Sequence, residues 1–265
     1  MRTIPHLLKK IRLLGLGPNI IGATGGSGTR VVARIVRHGG MFIGAHLNDS
    51  EDALDFGDYS DRWINTFIAR GRSPLWLITR IKMSRDLQAV LEKHWAALGP
   101  APRPWGWKEP RSIYLLPFFH SRFPGLKFLH VVRDGRDMAF STNQNQLVKH
   151  GHMLLDSAEM RWSQPLRSIA LWSRVNLRAA DYGENHLRGQ YLCVRFEDWC
   201  AEPVPMIQRI LEFFGLDGDV QNIAQLEVKS PESLGRWRHQ DKEILSELHR
   251  IGGAALQKFG YWTPA

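Results

Sequence analysis

The chain has 265 residues, enough for one large core or two small ones, with a formal charge of +9 from 35 Lys+Arg against 26 Asp+Glu. The arginines are spread along the chain rather than gathered into a basic tail, which suits an anionic ligand and argues against a nucleic-acid partner. The two cysteines, Cys193 and Cys200, exclude a disulfide framework, and no metal-ligand spacing is visible, so no metal is expected.

No linker, repeat or low-complexity segment interrupts the chain, so residues 1–265 read as one domain: an N-terminal amphipathic segment over 1–17 and a core from about 18 to 262. In that segment Lys9, Lys10 and Arg12 stand among Leu7, Leu8, Ile11, Leu13 and Leu14, which is not the apolar stretch of a signal peptide. No run approaches the roughly 20 apolar residues that cross a bilayer. A soluble, cytoplasmic protein without a membrane span is the expectation. Oligomeric state is not legible.

From Asn19 to Val36 a short apolar run (Ile20, Ile21) leads into Gly22-Ala23-Thr24-Gly25-Gly26-Ser27-Gly28-Thr29, and then Val31, Val32, Ile35 and Val36 fall at helical spacing. Strand, glycine loop and helix form a unit that holds phosphate: glycine lets the backbone approach an anion, and the free N–H groups of the helix N-terminus favour negative charge. Residues 25–30 are therefore a candidate anion site. An ATP-type P-loop needs Gly-Lys-Ser/Thr, and this loop holds no lysine. Gly22, Gly25 and Gly28 form G-x-x-G-x-x-G, which resembles the dinucleotide loop of short-chain dehydrogenases. A glycine turn without a ligand is the third reading.

Gly39-Gly40 ends the helix, and Met41-Phe42-Ile43-Gly44 reads as a short buried strand. The polar loop His46 to Asp52 follows. In a parallel sheet it emerges at the carboxyl edge, where α/β sheets bind ligands. It offers a general base, or else Asp49 or Ser50 caps a helix through Ala53, Leu54 and Phe56. Residues 59–98 read as helical with a break at Gly71-Arg72-Ser73-Pro74. Trp105 to Arg111 is a short strand ending in a charged turn, where Lys108 and Arg111 contact an anion or pair with Glu109. Ser112 to Phe123 is a helix.

Leu126 to Val132 is a strong strand, followed by Arg133-Asp134-Gly135-Arg136-Asp137 and a helix from about Met138. Arg133 falls at the strand end and Ser141 eight positions on, inside that helix. Arginine's planar fork binds phosphate bidentately. Residues 157–180 read as a helix, 191–196 as a strand carrying Cys193 with Cys200 in the loop after it, 203–214 as a helix stopped by Gly215, and 244–259 as the last helix. Strands alternating with helices argue for a parallel α/β sheet.

Several of these segments together resemble the sulfotransferases that use 3′-phosphoadenosine 5′-phosphosulfate (PAPS). Gly25-Gly26-Ser27-Gly28-Thr29 is similar to the family's 5′-phosphosulfate loop, and Phe128 to Ser141 to its 3′-phosphate motif. Arg195-Phe196-Glu197-Asp198, Phe213-Phe214-Gly215-Leu216, Gly235-Arg236-Trp237-Arg238, Gly260-Tyr261 and Trp107-Lys108-Glu109-Pro110-Arg111 resemble further family segments. The resemblance implies a three-layer α/β/α fold with a central parallel sheet, P-loop-like. It implies that Gly25, Gly26, Ser27, Gly28, Thr29 and Arg30 hold the 5′-phosphosulfate, that Arg133 and Ser141 bind the 3′-phosphate, and that Arg236 and Arg238 close over it.

One departure stands out. Gly26 occupies the place of the family's loop Lys or Arg, the cation that stabilises charge as the S–O bond breaks; Arg30 and Lys108 are the candidates to replace it. The implied chemistry is transfer of a sulfuryl unit to a hydroxyl or amine of a small-molecule, glycan or lipid acceptor, leaving adenosine 3′,5′-bisphosphate, with no metal. The base in such enzymes often lies downstream of the loop, and here His46, Asp49, Glu51 and Asp52 are on offer, with Glu51 preferred. Some of the ten tryptophans, Trp63, Trp76, Trp105 and Trp107 among them, could line an apolar or sugar site, although most belong to a core. The dehydrogenase reading lacks a Tyr-x-x-x-Lys and leaves Arg133 and Ser141 unexplained. A non-catalytic fold that binds nucleotide or glycan is the other alternative, kept open by the missing loop cation.

Overall fold

The computed structural model describes residues 16–72, 75–99 and 101–262. Most of the N-terminal amphipathic segment, and Ser73-Pro74 of the expected break, lie outside them. Four apolar strands, β1 (Asn19–Ala23), β2 (Gly106–Lys108), β3 (Lys127–Val132) and β4 (Tyr191–Arg195), pair in the order β2-β1-β3-β4, every pair parallel. Ile21 stands opposite Lys108 on one side and Leu129 on the other, and Val132 stands opposite Arg195.

The connections are helical, as parallel crossovers require. Between β1 and β2 run α1 (Thr29–His38), α2 (Leu54–Ile68) and α3 (Trp76–Leu98). A 3-10 segment, Pro110–Leu115, leads into α4 (Leu116–Arg122) before β3. Between β3 and β4 lie α5 (Gly135–Ala139), α6 (Asn145–Leu154) and α7 (Gln164–His186). After β4 come α8 (Phe196–Ala201), α9 (Pro203–Phe214), α10 (Val220–Glu227) and α11 (Lys242–Lys258).

Successive strand residues face opposite sides of a sheet, and here both sides are buried. Ile20 and Phe128 pack with Phe56, Leu87, Leu116 and Val175 on one face. Ile21, Ala23, Leu129 and Val131 pack with Val32, Val36, Ile207 and Phe214 on the other. Helices thus cover both faces, giving the expected three layers. A third cluster joins Val132, Ile169, Trp172, Leu248 and Phe259 where α7 and α11 meet. The C-terminus is tied back there: Tyr261 donates its hydroxyl to Glu197 Oε2 at 2.7 Å, and Arg136 Nη2 donates to the Tyr261 carbonyl at 2.8 Å.

Several local expectations change. Met41–Gly44 is not a strand; only Phe42 makes a bridge, to Trp105, because Gly44 at φ 132° turns the chain away. Asp49 and Ser50 cap nothing. Asn48 Oδ1 instead accepts from the Ser50 and Asp52 N–H groups, both at 2.9 Å, and α2 starts only at Leu54. After β3 the helix begins at Gly135, because Asp134 Oδ1 caps it through the Arg136 N–H at 2.9 Å. It ends at Ala139, so Ser141 lies beyond it rather than inside it. The helix expected over 157–180 begins at Gln164, where Pro165 is tolerated in the first turn and Ser163 is extended. Cys200 lies in α8 rather than a loop, and burial pushes the Cys193 thiol up to about 11. α6 and α10 were not anticipated, since α6 carries Asn145, Gln146, Lys149, His150 and His152 among few apolar residues.

His130, 0% exposed in β3, sets an acid limit on stability. Asn176 Nδ2 donates to the Trp172 carbonyl at 2.7 Å, so its Oδ1 faces His130 Nε2 at 2.8 Å as an acceptor. Nδ1 then accepts from the Tyr191 hydroxyl at 2.7 Å. Burial pushes His130 down to about 4, and His94, packed among Phe42, Phe56 and Trp105, down to about 4 as well. Unfolded histidines titrate near 6.5, so the folded chain binds fewer protons below that pH. Both contributions are present above pH about 6.5 and are lost as pH falls toward 4. Thermal unfolding should show a flat Tm above pH 7 and a steep decline between about 6.5 and 4, and His130→Gln should make that decline shallower.

Candidate functional site

A parallel sheet delivers all its carboxyl ends to one edge. Here that edge carries the glycine loop from β1, Lys108 and Glu109 from β2, Arg133 from β3 and Phe196 from β4, and all of these line one cavity of about 630 Å³. The polar loop before α2 also reaches it, through Asn48, Ser50 and Asp52.

The loop leaves the N-terminus of α1 open to the cavity. Gly28 caps α1 in the left-handed conformation, and no acidic residue stands in the first turn of that helix. Ser27 is 0% exposed, its Oγ donating to the Thr24 carbonyl at 2.7 Å. Gly28 is required twice over: its φ is +79°, and a Cβ there would lie 2.2 Å from the Phe196 ring. Gly26, at φ +85°, faces the other bank, where a Cβ would sit 3.1 Å from Met138 Cε and 3.8 Å from Ser141 Oγ. The turn carrying Ser141 therefore flanks the loop, although Ser141 itself is not among the residues lining the cavity.

Arg133 is 5% exposed. Its Nη2 donates to Asp137 Oδ2 at 3.2 Å and to the carbonyl and hydroxyl of Ser233 at 2.7 and 3.1 Å. Its guanidinium carbon stands 4.9 Å from the centre of the Phe196 ring. Nε is buried without a hydrogen-bond partner among the described residues. A buried donor without an acceptor is costly, and an anion in the cavity would remove that cost. Arg236 lies half-buried nearby, donating to the Ser233 and Phe140 carbonyls, each at 3.2 Å. Burial, then the positive charge of Arg133, lowers its pKa. Arg238 is exposed beside Trp237. Neither lines the cavity; Lys229 and Pro231 of the same tail do, and sequence reasoning passed over both.

Lys108, 1% exposed, projects from the end of β2. Its Nζ donates to the Ser50 carbonyl at 2.7 Å and pairs with Asp52. Burial pulls its pKa down, and the Asp52 carboxylate opposes that pull. Arg30 is exposed at the start of α1 and donates to Ser50 Oγ at 3.1 Å. The two candidate cations are thus brought together on the Ser50 loop, and both line the cavity.

The base candidates fare differently. Glu51 turns away, held by Arg37 at 2.5 Å and Arg34 at 3.6 Å on the outer face of α1. His46 is exposed and meets Asp55 Oδ2 at 3.3 Å. Neither lines the cavity; Asp52, Asp58, Asp61 and Glu109 do. Asp61 is held by Arg111 and Lys149. Glu109 is 3% exposed, and its Oε1 accepts from Arg111 Nε at 2.6 Å. Its Oε2 takes no hydrogen bond among the described residues, and burial raises its pKa. The sequence reading treated Glu109 only as a partner for Arg111. Its position directly after Lys108 at a strand end was the available signal. Trp105 and Trp107 are 0% exposed, and none of Trp63, Trp76, Trp105 or Trp107 faces the cavity.

A family profile described as the sulfotransferase family matches residues 30–220. The chain belongs to the sulfotransferase family. The fold is similar to the sulfotransferase domain of the Synechococcus PCC 7002 olefin synthase, at 15% identity over 94% of this chain and 96% of that one, TM-score 0.53. It is also similar to sulfotransferase STF9 from Mycobacterium avium, at 12% identity over 96% and 80%, TM-score 0.56. A sulfotransferase from Alicyclobacillus acidocaldarius shares 14% identity over 91% and 94%, TM-score 0.53. No curated protein sequence matches the chain.

The strain at Gly28 is separable from its steric role. Gly40 shares a left-handed φ of +82° but has open space around it. Gly40→Ala should cost about 1 kcal/mol in denaturant unfolding, and Gly28→Ala about 1–3 kcal/mol more because Phe196 must move.

Proposed function

We propose that the chain transfers the sulfuryl group of PAPS to a hydroxyl or amine acceptor and releases adenosine 3′,5′-bisphosphate. The observation that carries this reading is the buried Arg133 Nε, a donor without a partner in the wall of a cavity bounded by an anion-receiving loop. These groups fit a ligand with phosphates at two separated points. Gly25 to Arg30 would hold the 5′-phosphosulfate through backbone N–H groups and the α1 dipole. Arg133 would hold the 3′-phosphate with Ser141 on the neighbouring turn, and Arg236 and Arg238 would add positive charge from the tail.

Bound there, PAPS supplies an electrophilic sulfur and a phosphate leaving group. The protein's part is positioning and charge stabilisation, as in phosphoryl transfer. Lys108 takes the place of the cation missing at Gly26. It comes from β2 rather than from the loop, and its Asp52 and Ser50 contacts orient it. Arg30 supports it from the α1 end. Glu109 is the residue best placed to accept the acceptor's proton, with one oxygen fixed by Arg111 and the other free. The base role anticipated for Glu51, with His46, Asp49 and Asp52 as alternatives, passes to Glu109: Glu51, His46 and Asp49 lie outside the cavity lining, and Asp52 is paired with Lys108.

Away from the loop, the cavity wall carries the polar groups of Asn48, Asp58, Asp61, Arg111, Asn145 and Lys149 beside Leu54 and Pro110. Among the described residues Phe196 is the one aromatic ring that lines it, and Phe196 stands at the Arg133 end. This favours a polar, hydroxyl-bearing acceptor over a flat aromatic or lipid one.

Calorimetry with adenosine 3′,5′-bisphosphate, with adenosine 5′-monophosphate and NADP as controls, tests the donor site. The bisphosphate should bind best, and Arg133→Ala should weaken it by about 10- to 100-fold, the worth of a charge-assisted contact. Binding of NADP in its place would return the chain to a dinucleotide-binding reading.

Turnover tests the rest. Glu109→Gln should lower kcat by about 10²–10⁴-fold while leaving bisphosphate affinity intact. A base works only when ionised, and burial raises the Glu109 pKa. The acid limb of kcat/KM should therefore lie above the ordinary carboxylate value of about 4.3, with rate lost as pH falls through it, and this limb should vanish in the variant. Bisphosphate binding without PAPS turnover would leave a non-catalytic nucleotide-binding protein.

A further inference from the structure

A second cavity, of about 480 Å³, lies on the other side of the 3-10 segment Pro110–Leu115. Pro110 and Arg111 face the first cavity, while Ile113 and Tyr114 face the second, so the two share a wall without sharing lining residues. The volume falls within the range of roughly 300–1,000 Å³ usual for small-molecule sites. Its inner walls are apolar: Phe67, Ile113, Leu116, Val175 and Ala179 are all buried.

The rim is different. Arg70 follows the end of α2, and Arg178 projects from α7. Neither guanidinium forms an ion pair among the described residues. Arg70 Nη1 donates to the Phe67 carbonyl at 3.1 Å, and its guanidinium carbon lies 4.3 Å from the Phe67 ring centre. Burial, and then the positive charge of Arg178, lowers the Arg70 pKa. Two cations and the buried apolar residues thus line one cavity. Asp181 is the one carboxylate lining the cavity, and its Oδ1 accepts from Asn185 Nδ2 at 3.0 Å.

We propose that this second cavity binds an amphipathic anion, its hydrocarbon body against Phe67, Ile113, Leu116 and Val175 and its carboxylate between Arg70 and Arg178. The apolar wall excludes a bare inorganic anion as the preferred ligand. The two guanidiniums, neither in an ion pair among the described residues, favour a negative head group over a neutral or cationic one. The two cavities share no lining residue, although the Tyr114 hydroxyl of the second donates to Gln146 Oε1 of the first at 3.0 Å.

The test is calorimetric titration of the full chain with laurate, with adenosine 3′,5′-bisphosphate present in saturating amount so that the first cavity is occupied. One laurate should bind per chain. The double variant Arg70→Ala/Arg178→Ala should weaken laurate by at least 10-fold while bisphosphate affinity stays unchanged; both arginines are exposed, so the fold is retained. Dodecyltrimethylammonium and dodecanol should bind at least 10-fold more weakly than laurate, and acetate should not bind. Ala179→Phe, which fills the pocket, gives a second loss of laurate binding that does not pass through charge. Absence of laurate binding to the parent chain would overturn the proposal, as would equal binding to the arginine variant or equal binding of the cationic amphiphile. Loss of bisphosphate binding in the parent would instead count against the donor-site reading and leave this one standing.

Discussion

A buried guanidinium needs acceptors, and Arg133 draws them from distant parts of the chain. Asp137 comes from α5 and Ser233 from the C-terminal tail. The Asp137 carboxylate also accepts from the Gly235 N–H at 2.8 Å and the Trp237 N–H at 3.3 Å. One ion pair at the end of β3 therefore orders the tail that carries Lys229, Pro231, Arg236 and Arg238. The Phe196 ring, against which Arg133 packs, is also what restricts position 28 to glycine. Arginine, ring and glycine loop constrain one another, and this end of the cavity is the space they leave.

The second constraint is charge at the β2 end. Removing a charge from water costs several kcal/mol unless it is paired and hydrogen-bonded. Lys108 meets both conditions through Asp52 and the Ser50 carbonyl, and Glu109 is held in turn by Arg111. A lysine held in this way is pre-organised, so little reorganisation is needed when charge develops beside it. On the proposed reading, this lysine on the neighbouring strand, in register opposite Ile21 of β1, supplies the positive charge that Gly26 lacks. The left-handed φ at Gly26, with Met138 Cε close to the Cβ position, makes a side chain there unfavourable.

The apolar and polar parts of the molecule are sharply divided. Trp105, Trp107, Trp172 and Trp199 are among the largest fully buried side chains, and none lines the first cavity. Aromatic area is spent on packing the sheet, which frees the carboxyl edge for charged and amide groups. The second cavity mixes a wall of buried apolar residues with Arg70, Arg178 and Asp181.

Much of this was legible in the sequence, because it rests on local patterns. The apolar runs of β1, β3 and β4, the glycine loop, and α9 with its stop at Gly215 are short-range features, and short-range sterics and hydrogen bonding determine them. The pattern also placed Arg133 and Lys108 at strand ends, since an alternating, parallel topology leaves few other places for them. What the tertiary structure alone decided is which polar side chains share the space at that edge. Glu51 and Asp52 are neighbours in sequence, yet the positive φ of 64° at Glu51 sends one to the arginines of α1 and the other to Lys108. The polar helix α6, with no apolar signature of its own, brings Gln146 and Lys149 into the cavity only because α2 and α7 pack against it. Periodicity reports which face of an element is buried; which elements come to share a cavity is settled by long-range packing, and no local pattern encodes that.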